Sequence, residues 1–149
     1  MAHVDPQCFR EADEETLEHL VFECRVARIV TAWVFFNLLQ VDPAASKFTV
    51  DELLFGFTTE RRRKIRLVIL WMLHTMKHII WVARCDYRFR GKMPVESECL
   101  NKLIVRMKFV LCLLGRKCKS PAQVRSFEKE WLASGRLGHF QGEKLVFSF

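Results

Sequence analysis

Three side chains near the amino end, Cys8, His19 and Cys24, are of the types that bind zinc, and they stand in a Cys-x10-His-x4-Cys arrangement. A structural zinc site needs four ligands, and Asp5 or His3 is the candidate for the fourth. On a continuous α-helix, residues five apart such as His19 and Cys24 point about 140° away from each other. To share an ion the helix has to break near Glu23; if it runs on, the two are ordinary packing residues. Two cationic runs carry a different chemistry. Arg61-Arg62-Arg63-Lys64 and Arg116-Lys117-Cys118-Lys119 are suited to holding phosphates without reading sequence. The alternatives for the first run are nuclear import and a merely solvated surface. His74 and His78 have a spacing that binds zinc on one helical face. No carboxylate follows at the position that makes a metalloprotease signature, and Trp71 and Trp81 flank the pair, so packing at an interface is expected instead.

Other catalytic constellations are missing from the sequence. It contains no adjacent Asp-Asp pair, Gly-rich phosphate loop, Gly-x-Ser-x-Gly elbow or His-Glu-x-x-His. Asp13-Glu14-Glu15 is explained as favourable charge ahead of a helix amino end. Catalysis by this chain alone is not expected.

The elements that must position these residues are helical. Residues 60–90 contain neither Pro nor Gly and follow the N-cap candidates Thr58 and Thr59, which predicts one helix of about 30 residues. Its apolar residues occupy most of the girth, with a narrow strip of Arg66, Lys77, Arg84 and Arg88, so neighbours are expected to roof it on nearly every side. Around it the pattern gives a helix over 25–39 with an apolar stripe of Ile29, Trp33, Phe36 and Leu39, a loop to residue 48, and a short helix over 50–55 closed by Gly56. A helix over 94–114 carries a buried stripe of Leu100, Leu103, Ile104, Met107, Val110, Leu111 and Leu114, with Lys102, Arg106 and Lys108 outside. Ser120-Pro121-Ala122-Gln123 forms a capping box for a last helix to residue 133. The tail from residue 135 is read as irregular, although Leu145-Val146-Phe147-Ser148-Phe149 has strand character.

Half of the 149 residues are hydrophobic, enough for one compact domain with a sizeable core. The net charge of +7 is unevenly placed: residues 1–60 hold four Lys/Arg against eleven Asp/Glu, and the rest hold twenty against six. A basic remainder of this kind favours nucleic acid or anionic lipid. Residues 67–83 include His74, Lys77 and His78 and fall short of the ~20 apolar residues of a membrane span, so no membrane partner is expected. Residues 1–13 lack the apolar centre of a signal peptide. Cys85, Cys99 and Cys112 lie in apolar helical stretches where buried free thiols are usual. A nuclear or cytoplasmic setting follows.

Residues 15–24, Glu-Thr-Leu-Glu-His-Leu-Val-Phe-Glu-Cys, with Ala27-Arg28 and Trp33 beyond, resemble the cysteine-histidine region at the carboxyl end of reverse transcriptases from non-LTR retrotransposons. Ile80-Trp81-Val82-Ala83-Arg84, with Phe89 following, resembles the Ile-Trp-x-x-Arg segment after that region. In the family a Cys-Pro-x-Cys pair completes a zinc knuckle; here Asp5-Pro6-Gln7-Cys8 puts Asp5 where the first cysteine belongs. The resemblance therefore implies Asp5, Cys8, His19 and Cys24 as the ligand positions, with zinc expected absent because of Asp5. The family's polymerase carboxylates have no counterpart here. It implies a non-catalytic, nucleic-acid-binding carboxyl-terminal piece that holds RNA or DNA during target-primed reverse transcription, with Arg61, Arg62, Arg63, Lys64, Arg116, Lys117 and Lys119 on phosphates. Two alternatives are a helical protein-interaction module, which could self-associate through apolar helix faces, and a decayed remnant without selected function. The expected fold is all-α: a degenerate knuckle-like segment (1–24), a helical domain around one long central helix (25–134) and an irregular tail (135–149), in one compact unit.

Overall fold

The structure, a computed structural model, describes residues 16–149. Among these are helices α1 (Arg25–Val41), α2 (Val50–Phe55), α3 (Thr59–Arg62), α4 (Leu67–Arg90), α5 (Glu96–Gly115) and α6 (Pro121–Trp131), then strands β1 (Gly138–Gln141) and β2 (Lys144–Phe147). A π-helical turn, His19–Glu23, precedes α1, and a 3-10 turn, Pro43–Lys47, follows it. The fold is all-α, closed by one hairpin. Two capping boxes start their helices, the one at Ser120 as expected from the sequence and the one at Thr49 in addition to it. Thr49 and Glu52 exchange side-chain bonds with each other's backbone N–H at α2, and Ser120 and Gln123 do so at α6 with Pro121 in the first turn. Gly91, in the left-handed region at φ 63°, ends α4.

α1, α4 and α5 pack on one another around Val26, Val30, Val34 and Leu38 of α1, Ile69, Met72 and Met76 of α4, and Leu103 and Met107 of α5. Each such side chain taken from water contributes about 1.5–3 kcal/mol. The stripe read for α1 is corrected: Ile29, Phe36 and Leu39 are exposed, while Val26, Val30, Val34, Leu38 and Val41 are buried. Both stripes have helical spacing. The valine side is short enough to let the larger Met and Leu side chains of α4 and α5 fill the space between axes. Two polar residues on the buried side are satisfied locally, Thr31 Oγ1 donating to Val21 O at 2.8 Å and Asn37 Nδ2 to Trp33 O at 2.8 Å.

Residues 60–90 are not one helix. α3 stops at Arg62, residues 63–66 turn, and α4 begins at Leu67. A continuous helix opening on four cations would set them all against its dipole; instead α3 is a single turn of four residues that ends on Arg61 and Arg62. Nor is α4 roofed all round. Leu67 and Trp81 are 59% and 57% exposed and His74 is exposed, while Val68, Ile69, Met72, Thr75, Met76, Ile79 and Ile80 are buried. Arg84, placed by the sequence on the cationic strip, is buried, with its guanidinium 5.8 Å from the centre of the Tyr87 ring. By length and composition α4 is long and apolar enough to cross a membrane, and 56% of its most apolar window is buried in the protein.

The tail is also corrected from irregular to a hairpin: β1 and β2 pair antiparallel with Gly138 opposite Phe147 and Gln141 opposite Lys144. Its aromatic residues anchor it. Phe140 lies 6.0 Å from Phe127 of α6, Phe149 lies 5.3 Å from Trp33 of α1, and Lys108 Nζ of α5 sits over the rings of Phe147 and Phe149. The strand character of the final residues is therefore used in pairing and packing.

Candidate nucleic-acid interface

The first basic run divides at the end of α3. Arg61 turns inward: Nη1 pairs with Glu52 Oε1 at 2.8 Å, Nη2 donates to Lys47 O at 3.2 Å, and the guanidinium lies 5.8 Å from the Phe48 ring centre. These contacts tie Arg61 to the fold and compete with any phosphate for its guanidinium, although its side chain stays 41% exposed. Arg62, Arg63 and Lys64 are exposed, Lys64 making only a long pair with Glu60 at 3.9 Å. The turn also brings up a residue that the sequence reading left out of the site. Arg66, in extended backbone conformation just before α4, joins Arg62 and Arg63 along a groove of about 430 Å3 whose far wall is Glu130 of α6.

The second run lies in the turn after α5, where Arg116, Lys117 and Lys119 are exposed. That turn is fixed by backbone bonds from Arg116, Lys117 and Cys118 to carbonyls of the last turn of α5, and by the Lys119 N–H donating to Gln123 Oε1 at 2.7 Å. Lys117 borders a second groove, of about 310 Å3, together with Gln123, Ser126, Glu130 and Trp131. Glu130 is thus on the wall of both grooves, and the end of α6 lies between two clusters that are remote in sequence. A third and larger groove, about 530 Å3, runs between α2, α4 and α6 and shares Arg62, Leu67 and Leu70 with the first and Trp131 with the second. Trp71 and Trp131 meet there edge to face with centroids 6.2 Å apart. Trp71 stood out in the sequence only as a neighbour of the His74 and His78 pair, and its meeting with Trp131 of α6 was not visible there.

At the amino-terminal pair the helix is interrupted, as a shared metal site would require. The π-helical turn ends at Glu23, Cys24 leaves helical conformation at φ −55° and ψ 133°, and its N–H donates to His19 O at 2.7 Å. The helix therefore breaks where a metal site would require it. Both residues are buried, and His19 Nδ1 faces Glu23 Oε2 at 3.4 Å. In residue type His19 and Cys24 match two ligands of a knuckle; Asp5 and Cys8 lie outside the described residues, among which no group of three or more His, Cys, Asp and Glu is placed to hold a metal. His74 is exposed at the large groove and His78 is half-buried.

Comparison with protein-family models, with curated proteins and with solved structures finds no match.

Proposed function

We propose that this chain is a non-catalytic nucleic-acid-binding domain of the kind found at the carboxyl end of non-LTR retrotransposon reverse transcriptases. It holds RNA or DNA by its phosphates through Arg62, Arg63, Lys64, Arg66, Arg116, Lys117 and Lys119. The observation that carries this reading is that two basic clusters, one before α4 and one after α5, border grooves with a common wall at Glu130. One polyanion crossing the end of α6 meets both. The motif resemblance at residues 15–24 and 80–84 supports the family, and in this reading the chain positions a nucleic acid and performs no chemistry on it. Because phosphate contacts displace condensed counterions, affinity falls steeply with salt. Fluorescence anisotropy of a labelled 12-nucleotide strand over 25–200 mM salt tests this; affinity independent of salt, or no binding at 25 mM, overturns it.

A second reading has its own observation. Phe36 on α1 and Val105 and Phe109 on α5 are each more than 60% exposed, which suits a helical protein-interaction module. Self-association that persists at high salt, with nucleic-acid binding absent, selects it.

A further inference from the structure

We infer that the groove between α2, α4 and α6 takes the unpaired bases of a single-stranded nucleic acid, stacked on its aromatic walls. The inference rests on the phosphate-binding reading above and adds to it the strand's conformation. The groove's volume of about 530 Å3 is within the ~300–1,000 Å3 of ligand clefts, large enough for a base or two and far too small for a duplex. Its aromatic surface is open to solvent. Phe55 stands at the lip 72% exposed, Trp71 and Trp131 are half-buried, and the His74 ring is exposed beside them. Flat, half-open aromatic faces of this kind stack bases of any sequence.

The charges around the groove select an anionic occupant. Arg62 belongs both to this groove and to the cationic one beside it, and Lys77 Nζ stands at the wall 3.5 Å from Leu54 O. Among the described residues the single carboxylate lining the groove is Glu52, which is already neutralised: Oε1 pairs with Arg61 at 2.8 Å and Oε2 accepts from the Thr49 N–H at 2.9 Å. An apolar peptide would satisfy the aromatic residues and leave the cations unanswered. A duplex would do the opposite. A single strand does both, with its bases between Phe55 and the tryptophan pair and its phosphates on Arg62, Arg63 and Arg66.

The test compares oligothymidylate of 12 nucleotides with an abasic strand of the same length and charge, at 25 mM salt, on the full chain. Removing the bases is expected to weaken binding about 5- to 150-fold, the range for one base stacked on an aromatic side chain. Phe55→Ala, at an exposed position that the core does not use, is expected to lower affinity for oligothymidylate by a similar factor and to shrink the difference between the two strands. Trp81→Ala, an exposed aromatic outside the groove, is expected to leave both affinities unchanged. Oligodeoxyuridylate and oligouridylate, which differ only in the 2′-hydroxyl, run in parallel name the sugar: whichever strand loses more affinity on Phe55→Ala supports the inference and identifies its source as RNA or DNA. Equal affinity for the abasic and base-bearing strands overturns the inference while leaving the phosphate reading in place. Absence of binding to either strand overturns both. Self-association at high salt that Phe55→Ala abolishes overturns it too, because the groove is then an interface between copies.

Discussion

Arg61 and Arg63 are two residues apart in one basic run, yet Arg61 is bonded to Glu52 and Lys47 while Arg63 is exposed, and a paired substitution separates the roles proposed for them. The cations free to meet phosphate are Arg62, Arg63, Lys64, Arg116, Lys117 and Lys119, with Arg66 half-exposed beside them. Six or seven contacts to a single strand, at about 0.7 counterion each, give a slope of log affinity against log salt of roughly −4 to −5. Between 50 and 200 mM salt, affinity should then fall roughly 250- to 1,000-fold. Arg63→Ala removes one contact and should flatten the slope by about 0.7 without changing the melting temperature. Arg61→Ala should leave the slope alone and cost stability. Its pair with Glu52 is 41% exposed on the arginine side and 15% on the glutamate side, so with the Lys47 carbonyl bond and the Phe48 ring it is worth on the order of 1 kcal/mol. That corresponds to a melting temperature lower by about 2–4 °C in a chain of this size. Anisotropy titrations at five salt concentrations and a thermal melt of each variant supply both quantities. If the two substitutions flatten the slope equally, or if the wild-type slope is shallower than about −1, the division of the run is wrong.

Three further outcomes follow from the same geometry. At Gly138 an added Cβ would lie 2.5 Å from Val146 O and 3.3 Å from Phe147 Cα, so Gly138→Ala must shift the hairpin, at a cost of about 1–3 kcal/mol; an unchanged melting temperature refutes the register. Burial pushes the Cys99 thiol above its ordinary value of 9.0, with Lys102 opposing and Glu98 and Glu96 adding to the rise. The neutral thiol's contribution to stability is therefore intact below about pH 9 and lost as pH rises through the higher folded value. The stability gap between wild type and Cys99→Ala should narrow over that window, and a gap that widens there counts against the burial. Zinc per chain after purification without added metal should be well below one, with melting unchanged by chelator, because Asp5 replaces the first family cysteine. One zinc per chain whose removal lowers the melting temperature would show that a fourth ligand, Asp5 or His3, completes the site.

What the sequence discloses and what it hides differ for physical reasons. The capping box at Ser120 and the Gly91 stop were legible because each depends on residues within four positions of one another; the box at Thr49 and Glu52 is just as local and went unread. The buried face of α5 was legible because the helix also carries enough polar residues, Lys102 and Arg106 among them, to mark its outer side; of its seven-residue stripe Leu103, Met107 and Leu111 are fully buried and Leu100, Ile104, Val110 and Leu114 half-buried. α1 has no such contrast. With Ile29, Phe36 and Leu39 competing against Val26, Val30 and Val34, periodicity gives two answers, and only the volume available between α4 and α5 decides. The same holds for the tail, whose irregular composition conceals a hairpin held by contacts to α1, α5 and α6, all distant in sequence. The site was half legible. Runs of charge can be seen in a string of letters; the common wall at Glu130 and the pairing of Trp71 with Trp131 cannot.

The break between α3 and α4 ties the fold to the proposed function. Had residues 60–90 been continuous, Arg61, Arg62, Arg63 and Lys64 would fan out at about 100° per residue over the whole circumference of one helix, and a phosphate backbone would meet one or two of them. The turn at residues 63–66 changes the direction of the chain between the cations. Arg61 is drawn under by Glu52 and Lys47, and Arg62, Arg63 and Arg66 are left along one groove beside α6. Substitutions that favour a continuous helix there, such as Arg63→Ala combined with Lys64→Ala, would disperse the remaining arginines. The loss of affinity should then exceed the product of the two single losses, since geometry is lost along with charge. If the double variant loses only that product, the turn has no part in assembling the interface.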